Sequence, residues 1–191
     1  MEAKERCEWS VSDLLYTAYH DQEWGVPVRE DRKQFEFLVL ESAQAGLSWL
    51  TILKRREGYR RLYEGFDPEL VAQFDEAKIN SMLQDVGIIR NRKKIESSIN
   101  NAQRFLEVKK QYGSFCNYLW GFTGGKQLVN HFTKFSEVPA TTSLSDAITK
   151  DMKKRGFQFL GSTILYAHLQ ATGLVNDHLT TCFRHQECIE R

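Results

Sequence analysis

No apolar stretch of this chain runs for more than a few residues, Phe37 to Leu40 being typical. A helix needs about 20 apolar residues to cross a bilayer, so no membrane partner is expected. The opening, MEAKERCEWS, is charged and has no apolar signal region, which makes the cytoplasm the expected compartment. An excess of charge of one sign is missing too. The 26 Lys and Arg are set against 25 Asp and Glu, for a net charge of +1 and a pI near 7.7. A uniformly basic coat for nucleic acid is thereby excluded, and a monomer is expected. Cysteine is scarce: Cys7, Cys116, Cys182 and Cys188 read as free thiols or metal ligands rather than disulfides.

What is present is an ordinary globular composition, 41% hydrophobic and 27% charged, over 191 residues. That length fits one well-buried domain, or two small lobes sharing a cleft. The sequence shows no repeat, low-complexity segment or linker, so residues 1–191 are read as one domain. Its periodicity is helical nearly throughout. Asp31 is placed to cap a helix carrying Phe35, Leu38 and Val39, and Ser48 to cap another carrying Leu50 and Leu53. Asp67-Pro68-Glu69 and Asp75 are helix starts. Residues 91–112 form the longest candidate, with Ile95, Ile99, Ala102 and Leu106 along one face. Ser114 starts a short aromatic helix, and 123–142 read as a loop with extended pieces. Helices over 143–154 and 162–172 end at Gly156 and Gly173. Eight or more short helices make an all-α bundle.

Three local features carry chemistry. In LESAQAGLSW (40–49), Glu41 sits among Leu38, Val39 and Leu40, where helical spacing turns its carboxylate inward. Gly46 gives the corner its permissive backbone, Leu47 is left at the tip, Ser48 caps the next helix and Trp49 opens it. A carboxylate beside an aromatic ring suits a flat cation, and an apolar tip suits a wedge between base pairs. The same pattern also serves an ordinary helix–helix corner. In SMLQDVGIIRNRKKI (81–95), Gly87 is expected to take a left-handed backbone, with Ile88 and Ile89 anchoring a turn before a basic helix start. Free amides there, beside Arg90, would grip a phosphate without reading sequence. Basic runs at 54–56, 90–94 and 153–155 fit either a phosphate-tracking surface or plain solvated faces.

The third feature is a set of metal-ligand residue types. Cys7 and His20 near one end, with His178 and Cys182 near the other as an i, i+4 pair on a helical turn that aims both the same way, would complete a four-ligand zinc site with no open position. A rival set, His178, Cys182, His185 and Cys188, lies within eleven residues. Spacing does not choose between them. Tyr16 and Tyr19, three apart, and Trp9 and Trp24 suit core packing as well as a binding site.

CEWSVSDLLYTAYHDQEWGVP (7–27), LESAQAGLSWLTILKRRE (40–57), LQDVGIIRNRKKI (83–95) and KKRGFQFLGSTILYAHLQATGLVNDHLTTC (153–182) together resemble the 3-methyladenine DNA glycosylase I family, in the family's order and over nearly the whole chain. The resemblance implies an all-α, helix-hairpin-helix glycosylase-like bundle with a structural Zn2+ tying the two termini. It puts zinc on Cys7, His20, His178 and Cys182 and the base pocket on Tyr16, Tyr19, Glu41 and Trp49, with Trp9 shaping it. Gly46 and Leu47 become the wedge, and Gly87, Ile88 and Arg90 part of the phosphate clamp. The expected partner is double-stranded DNA containing alkylated bases. The expected reaction is hydrolytic release of an extruded 3-methyladenine, leaving an abasic site.

Related helix-hairpin-helix enzymes place an Asp some twenty residues past the hairpin, but no Asp occurs here between Asp85 and Asp146. Glu41 is then the catalytic candidate, as a recognition and electrostatic residue for a bond that is already labile. Two other readings stay on the table: a non-catalytic, zinc-stabilised helix-hairpin-helix module, and a zinc hydrolase with three ligands and a water.

Overall fold

The computed structural model describes residues 4–189. After a 3₁₀ turn at Glu8–Val11 come α1 (Leu14–Gln22), α2 (Asp31–Gln44), α3 (Trp49–Leu53), α4 (Arg56–Leu62), α5 (Pro68–Val71), α6 (Glu76–Gln84), α7 (Arg92–Tyr112) and α8 (Phe115–Gly121). Then follow β1 (Leu128–Val129), α9 (Ser143–Lys154), α10 (Ser162–Ala171), β2 (Val175–Asn176) and α11 (Arg184–Glu187). The two short strands pair in parallel, so the mostly helical fold contains one small extended link that periodicity does not announce.

The expected caps form at Ser48, Asp67, Asp75 and Ser114, each accepting a hydrogen bond from an amide in the first turn of its helix. Asp31 behaves differently from its reading. Glu30 is the residue before α2, and the Asp31 carboxylate accepts from the Phe115 and Cys116 amides at 3.1 and 2.9 Å. It satisfies the start of α8 instead, where a negative charge meets the positive end of the helix.

α2 is the axis of the molecule. Every residue from Gln34 to Ala43 is buried, as expected of a helix enclosed on all sides rather than amphipathic. α3, α7, α8 and α10 pack around it. Two apolar clusters result. The larger runs from Phe35 through Phe105, Phe115 and Leu169. The smaller gathers Cys7, Tyr19, Trp24, Phe37, Leu53, Ala171, Leu179 and Cys182, and so draws on both ends of the chain. Among the described residues, no helix is long and apolar enough to cross a membrane.

Candidate functional site

Where α1, α2, α3 and α10 meet, a cavity of about 490 Å³ opens between the two clusters. Glu41, Tyr16, Tyr19, Trp49 and Trp9 all line it, so the residues singled out for a base pocket share one space. Trp9 stands edge-on to Tyr16 at 5.7 Å, and Tyr19 lies 5.6 Å from Trp49 between ring centroids. The Tyr16 hydroxyl is committed elsewhere: it accepts from the Leu50 amide at 3.1 Å, tying α1 to the first turn of α3. Among the described residues, the buried indole N–H of Trp49 has no hydrogen-bond partner, a donor whose desolvation an entering acceptor would offset.

The cavity has further walls beyond the residues expected to form the base pocket. α10 presents Thr163, Tyr166, Ala167, Gln170 and Ala171, spaced i, i+3, i+4, i+7 and i+8 as one helical face. That signal was present, but its mixed polarity resembles half-buried packing. Phe135, Val138, Pro139 and Ala140 arrive from the loop before α9, and no period marks them.

Glu41 is buried, at 3% exposure. Its Oε2 lies 2.7 Å from His168 Nδ1 on α10, and His168 Nε2 lies 2.7 Å from Gln34 Oε1. Burial pushes the Glu41 carboxyl above its ordinary range, and the nearby His168 partly opposes it. Burial also raises the Tyr19 phenol, which keeps it neutral.

Beside the cavity, Cys7, His20, His178 and Cys182 are all buried, with their ligand atoms within 4.8 Å of one another. Cys7 Sγ is 3.7 Å from His178 Nδ1, and Cys182 Sγ is 3.4 Å from His20 Nε2 and 3.6 Å from His178 Nδ1. A tetrahedron with zinc's usual bond lengths has a sulfur–nitrogen edge of about 3.5 Å. The remaining ring nitrogens are already engaged: His20 Nδ1 faces Asp21 at 2.8 Å and His178 Nε2 faces the Trp24 carbonyl at 2.9 Å. Each contact presents the other nitrogen's lone pair to the cluster. Arg6 in turn holds Asp21. The Cys182 thiol is held down by a hydrogen bond from Cys7 and by His178 and His20, against burial, while that same contact and burial push the Cys7 thiol up. A dication would bind as both thiols give up their protons. The donor set fits zinc.

The rival ligand set does not assemble. His185 Nε2 turns to the Asn130 carbonyl, and Cys188 Sγ faces the Trp24 carbonyl at 3.9 Å. His178 and Cys182 converge through a loop after β2 rather than on a helix, which corrects the expected helical i, i+4 pair. Four inward donors also leave no vacant position of the kind a zinc hydrolase needs.

At the corner, Gly46 has φ +79° and Leu47 is exposed, as expected. Lys94 of α7 donates to the Ala43 and Ala45 carbonyls at 2.8 and 2.7 Å, anchoring the corner to the start of the long helix. The turn between α6 and α7 departs from its reading. Gly87 is not left-handed; a Cβ there would lie 2.9 Å from Asp85 Oδ1 and 3.3 Å from the Cα of Gly58 on the crossing α4, and a Cβ on Gly58 would in turn run into the Gly87 carbonyl. The Gly87 amide donates to Asp85 Oδ1 and the Ile89 amide to the Tyr59 hydroxyl. The Ile88 and Arg90 amides carry no hydrogen bond among the described residues. Ile88 itself is buried and the Arg90 side chain exposed.

Much of the basic runs is paired within the chain, Arg56 in a half-buried network and Arg92 at the surface. Arg56 binds Glu23 and Glu36, Arg92 binds Glu76 and Asn80, and Arg155 binds Asp151 and Gln111. Arg90, Lys93, Lys153 and Lys154 remain exposed.

This mostly helical arrangement, with a ring-lined cavity holding one buried acid, is of a kind suited to a flat, electron-poor ligand. The sequence model of the methyladenine glycosylase family matches residues 9–185, and the chain belongs to that family. It is 48% identical over 178 residues to DNA-3-methyladenine glycosylase 1 of Escherichia coli (strain K12), covering 93% of this chain and 95% of that one. It is 42% identical to the DNA-3-methyladenine glycosylase of Haemophilus influenzae, covering 93% and 96%. Among solved structures it superposes on the 3-methyladenine DNA glycosylase I of Staphylococcus aureus, studied for its recognition of 3-methyladenine. There the TM-score is 0.91 and the identity 37%, covering 95% of this chain and 97% of that one.

Proposed function

We propose that this chain is a monofunctional DNA repair glycosylase that hydrolyses the N-glycosyl bond of 3-methyladenine in double-stranded DNA, leaving an abasic site. The observation that carries the reading is the convergence of Glu41, Tyr16, Tyr19, Trp49 and Trp9 on one cavity. A purine methylated at a ring nitrogen is cationic while attached to the sugar. Ring faces attract that cation and a carboxylate complements it. Extrusion costs about a few kcal/mol of unstacking, which Leu47 entering the vacated space would help to offset.

When the C1′–N9 bond breaks, its electron pair moves into the ring and neutralises the purine. Water adds to C1′ and loses a proton. The leaving group is already activated, so Glu41 serves recognition and the electrostatics of the site.

The α6–turn–α7 unit is read as a helix-hairpin-helix grip. The Ile88 and Arg90 amides, with the Arg90 side chain, would receive a backbone phosphate; Gly87 would serve through its backbone shape, since its own amide is taken. Cys7, His20, His178 and Cys182 would hold a structural Zn2+. Trp9 lies 5.5 Å from the His20 ring and Trp24 4.5 Å from the His178 ring, so this cluster braces the aromatic wall of the cavity. Zinc there would supply only that bracing.

Incubation of the protein with methylated duplex DNA, with metal content measured on the same sample, tests the reading. Release of 3-methyladenine with abasic sites formed in equal number is expected. DNA binding without release would favour the non-catalytic module.

A further inference from the structure

The contact between Glu41 and His168 contains a proton whose position the surrounding hydrogen bonds constrain. Gln34 Nε2 donates to the Val28 carbonyl at 3.1 Å, and a carbonyl can only accept. The Gln34 amide is therefore oriented with Oε1 toward His168, and His168 Nε2, 2.7 Å away, must carry a hydrogen. The remaining ring nitrogen, Nδ1, lies 2.7 Å from Glu41 Oε2. At that distance one proton joins them, either on the carboxyl or on the ring. All three side chains are buried, so bulk water does not supply the proton's alternative partners.

From the cavity side, a ligand that donates hydrogen bonds favours an ionised Glu41, and a proton on His168 Nδ1 is what preserves that ionisation in a dry site. Resting on the base-excision reading above, we propose that His168 is a positioning residue: doubly protonated and locked by Gln34, it keeps Glu41 a carboxylate facing the extruded base. The other titratable groups lining the cavity are phenols: Tyr19 and Tyr16 of α1, the latter accepting from the Leu50 amide, and Tyr166 of α10, which donates to Asp177; Trp49 of α3 contributes only an indole. Gln34 shares α2 with Glu41 and bears no charge. The imidazolium of α10 is therefore the positive charge set against the carboxylate, and the buried pair is neutral overall. This resolves how an acid enclosed in the core presents charge at neutral pH.

The test uses the full chain and two readouts. The first is the ¹⁵N spectrum of His168 at pH 7 without ligand. Signals of two protonated ring nitrogens are expected; one protonated and one bare nitrogen would place the proton on Glu41 and overturn the proposal. The second is 3-methyladenine binding, followed by tryptophan fluorescence from pH 5 to 9, in the wild type, His168→Leu and His168→Asn. Binding that requires the carboxylate is lost as pH falls through the Glu41 pKa, so removing the cation should move that acid limb upward by about one pH unit or more. His168→Asn, which keeps a donor near the Nδ1 position, should recover part of the affinity at pH 7. A merely structural role would weaken binding equally at every pH, and an unmoved limb in folded His168→Leu contradicts the proposal. Failure of the wild type to bind 3-methyladenine would count against the functional reading alone, since the spectrum reports on the proton without ligand.

Discussion

The two apolar clusters are built on different terms. The larger is closed by hydrocarbon: Phe105 stacks on Phe115 at 4.3 Å and meets Phe35 at 5.3 Å, and α7 supplies Ile95, Ile99 and Ala102 along one stripe. The smaller joins Cys7 to Cys182 across nearly the whole chain. It is held by buried polar contacts: thiols on imidazoles, imidazoles on Asp21 and the Trp24 carbonyl. The cavity opens on the side of the second. Stability and recognition are thus divided, with a closed helical body supporting a polar, end-to-end assembly that shapes the ligand space.

Perturbing the body should cost most in stability and least in selectivity. Phe105→Ala removes a fully buried ring and should lower stability by about 4 kcal/mol, a fall in Tm of about 8–16 °C for a chain of this size. Metal content and the ratio of 3-methyladenine to adenine binding should stay unchanged in the folded fraction. Cys182→Ser should act in the opposite way. It should lose zinc and lower Tm by about 6–12 °C, as expected for a loss of about 3 kcal/mol, while base binding weakens because Trp9 and Trp24 lose their brace. If calorimetry and metal analysis found that variant unchanged, the contrast between the clusters would collapse.

A smaller effect belongs to the ion network beneath α2. Burial works against the charge on Glu23, but hydrogen bonds from Arg56 and Lys33 outweigh it and hold the carboxyl down at about 2, against an ordinary 4.5. A depressed acid contributes stability above its unfolded pKa and loses it as pH falls. Chemical denaturation should therefore show about 3 kcal/mol at most disappearing between about pH 4.5 and 2 from this group, and Glu23→Gln should flatten that slope. Smallest is Leu47→Ala at the exposed corner. It should weaken binding to a damaged duplex by about fivefold to tenfold through lost apolar contact, with free 3-methyladenine bound as before.

The same contrast explains what was legible in the sequence. α7 and α9 announce themselves through apolar stripes, and the caps at Ser48, Asp67, Asp75 and Ser114 are local chemistry that a short window contains. The pocket acid was visible because Glu41 interrupts an apolar run. Its partner was not: His168 and Gln34 lie far apart in sequence, and only the packing of α10 on α2 brings them together. Asp31 was misread because a carboxylate one residue inside its own helix was free to cap α8, a tertiary choice. Gly87 differs from its expected left-handed form because its constraint is space, against the Asp85 carboxylate and the α4 backbone at Gly58, not its own dihedral. The partners of Arg56 and Arg92 were hidden because Glu23, Glu36 and Glu76 lie on other elements, whereas Asp151, one turn before Arg155, is a local pair. Among the metal ligands, spacing left two sets open, and the choice between them rests on contacts across 171 residues, as between Cys7 and His178.

Titration of the folded protein with free 3-methyladenine and with adenine, comparing the wild type with Glu41→Gln, tests the central claim most directly. Tighter binding of 3-methyladenine by the wild type, weakened about tenfold to a hundredfold in the variant as a charge-assisted hydrogen bond is lost, is the expected result. Equal affinity for the two bases, or an affinity that Glu41→Gln leaves intact, would contradict it.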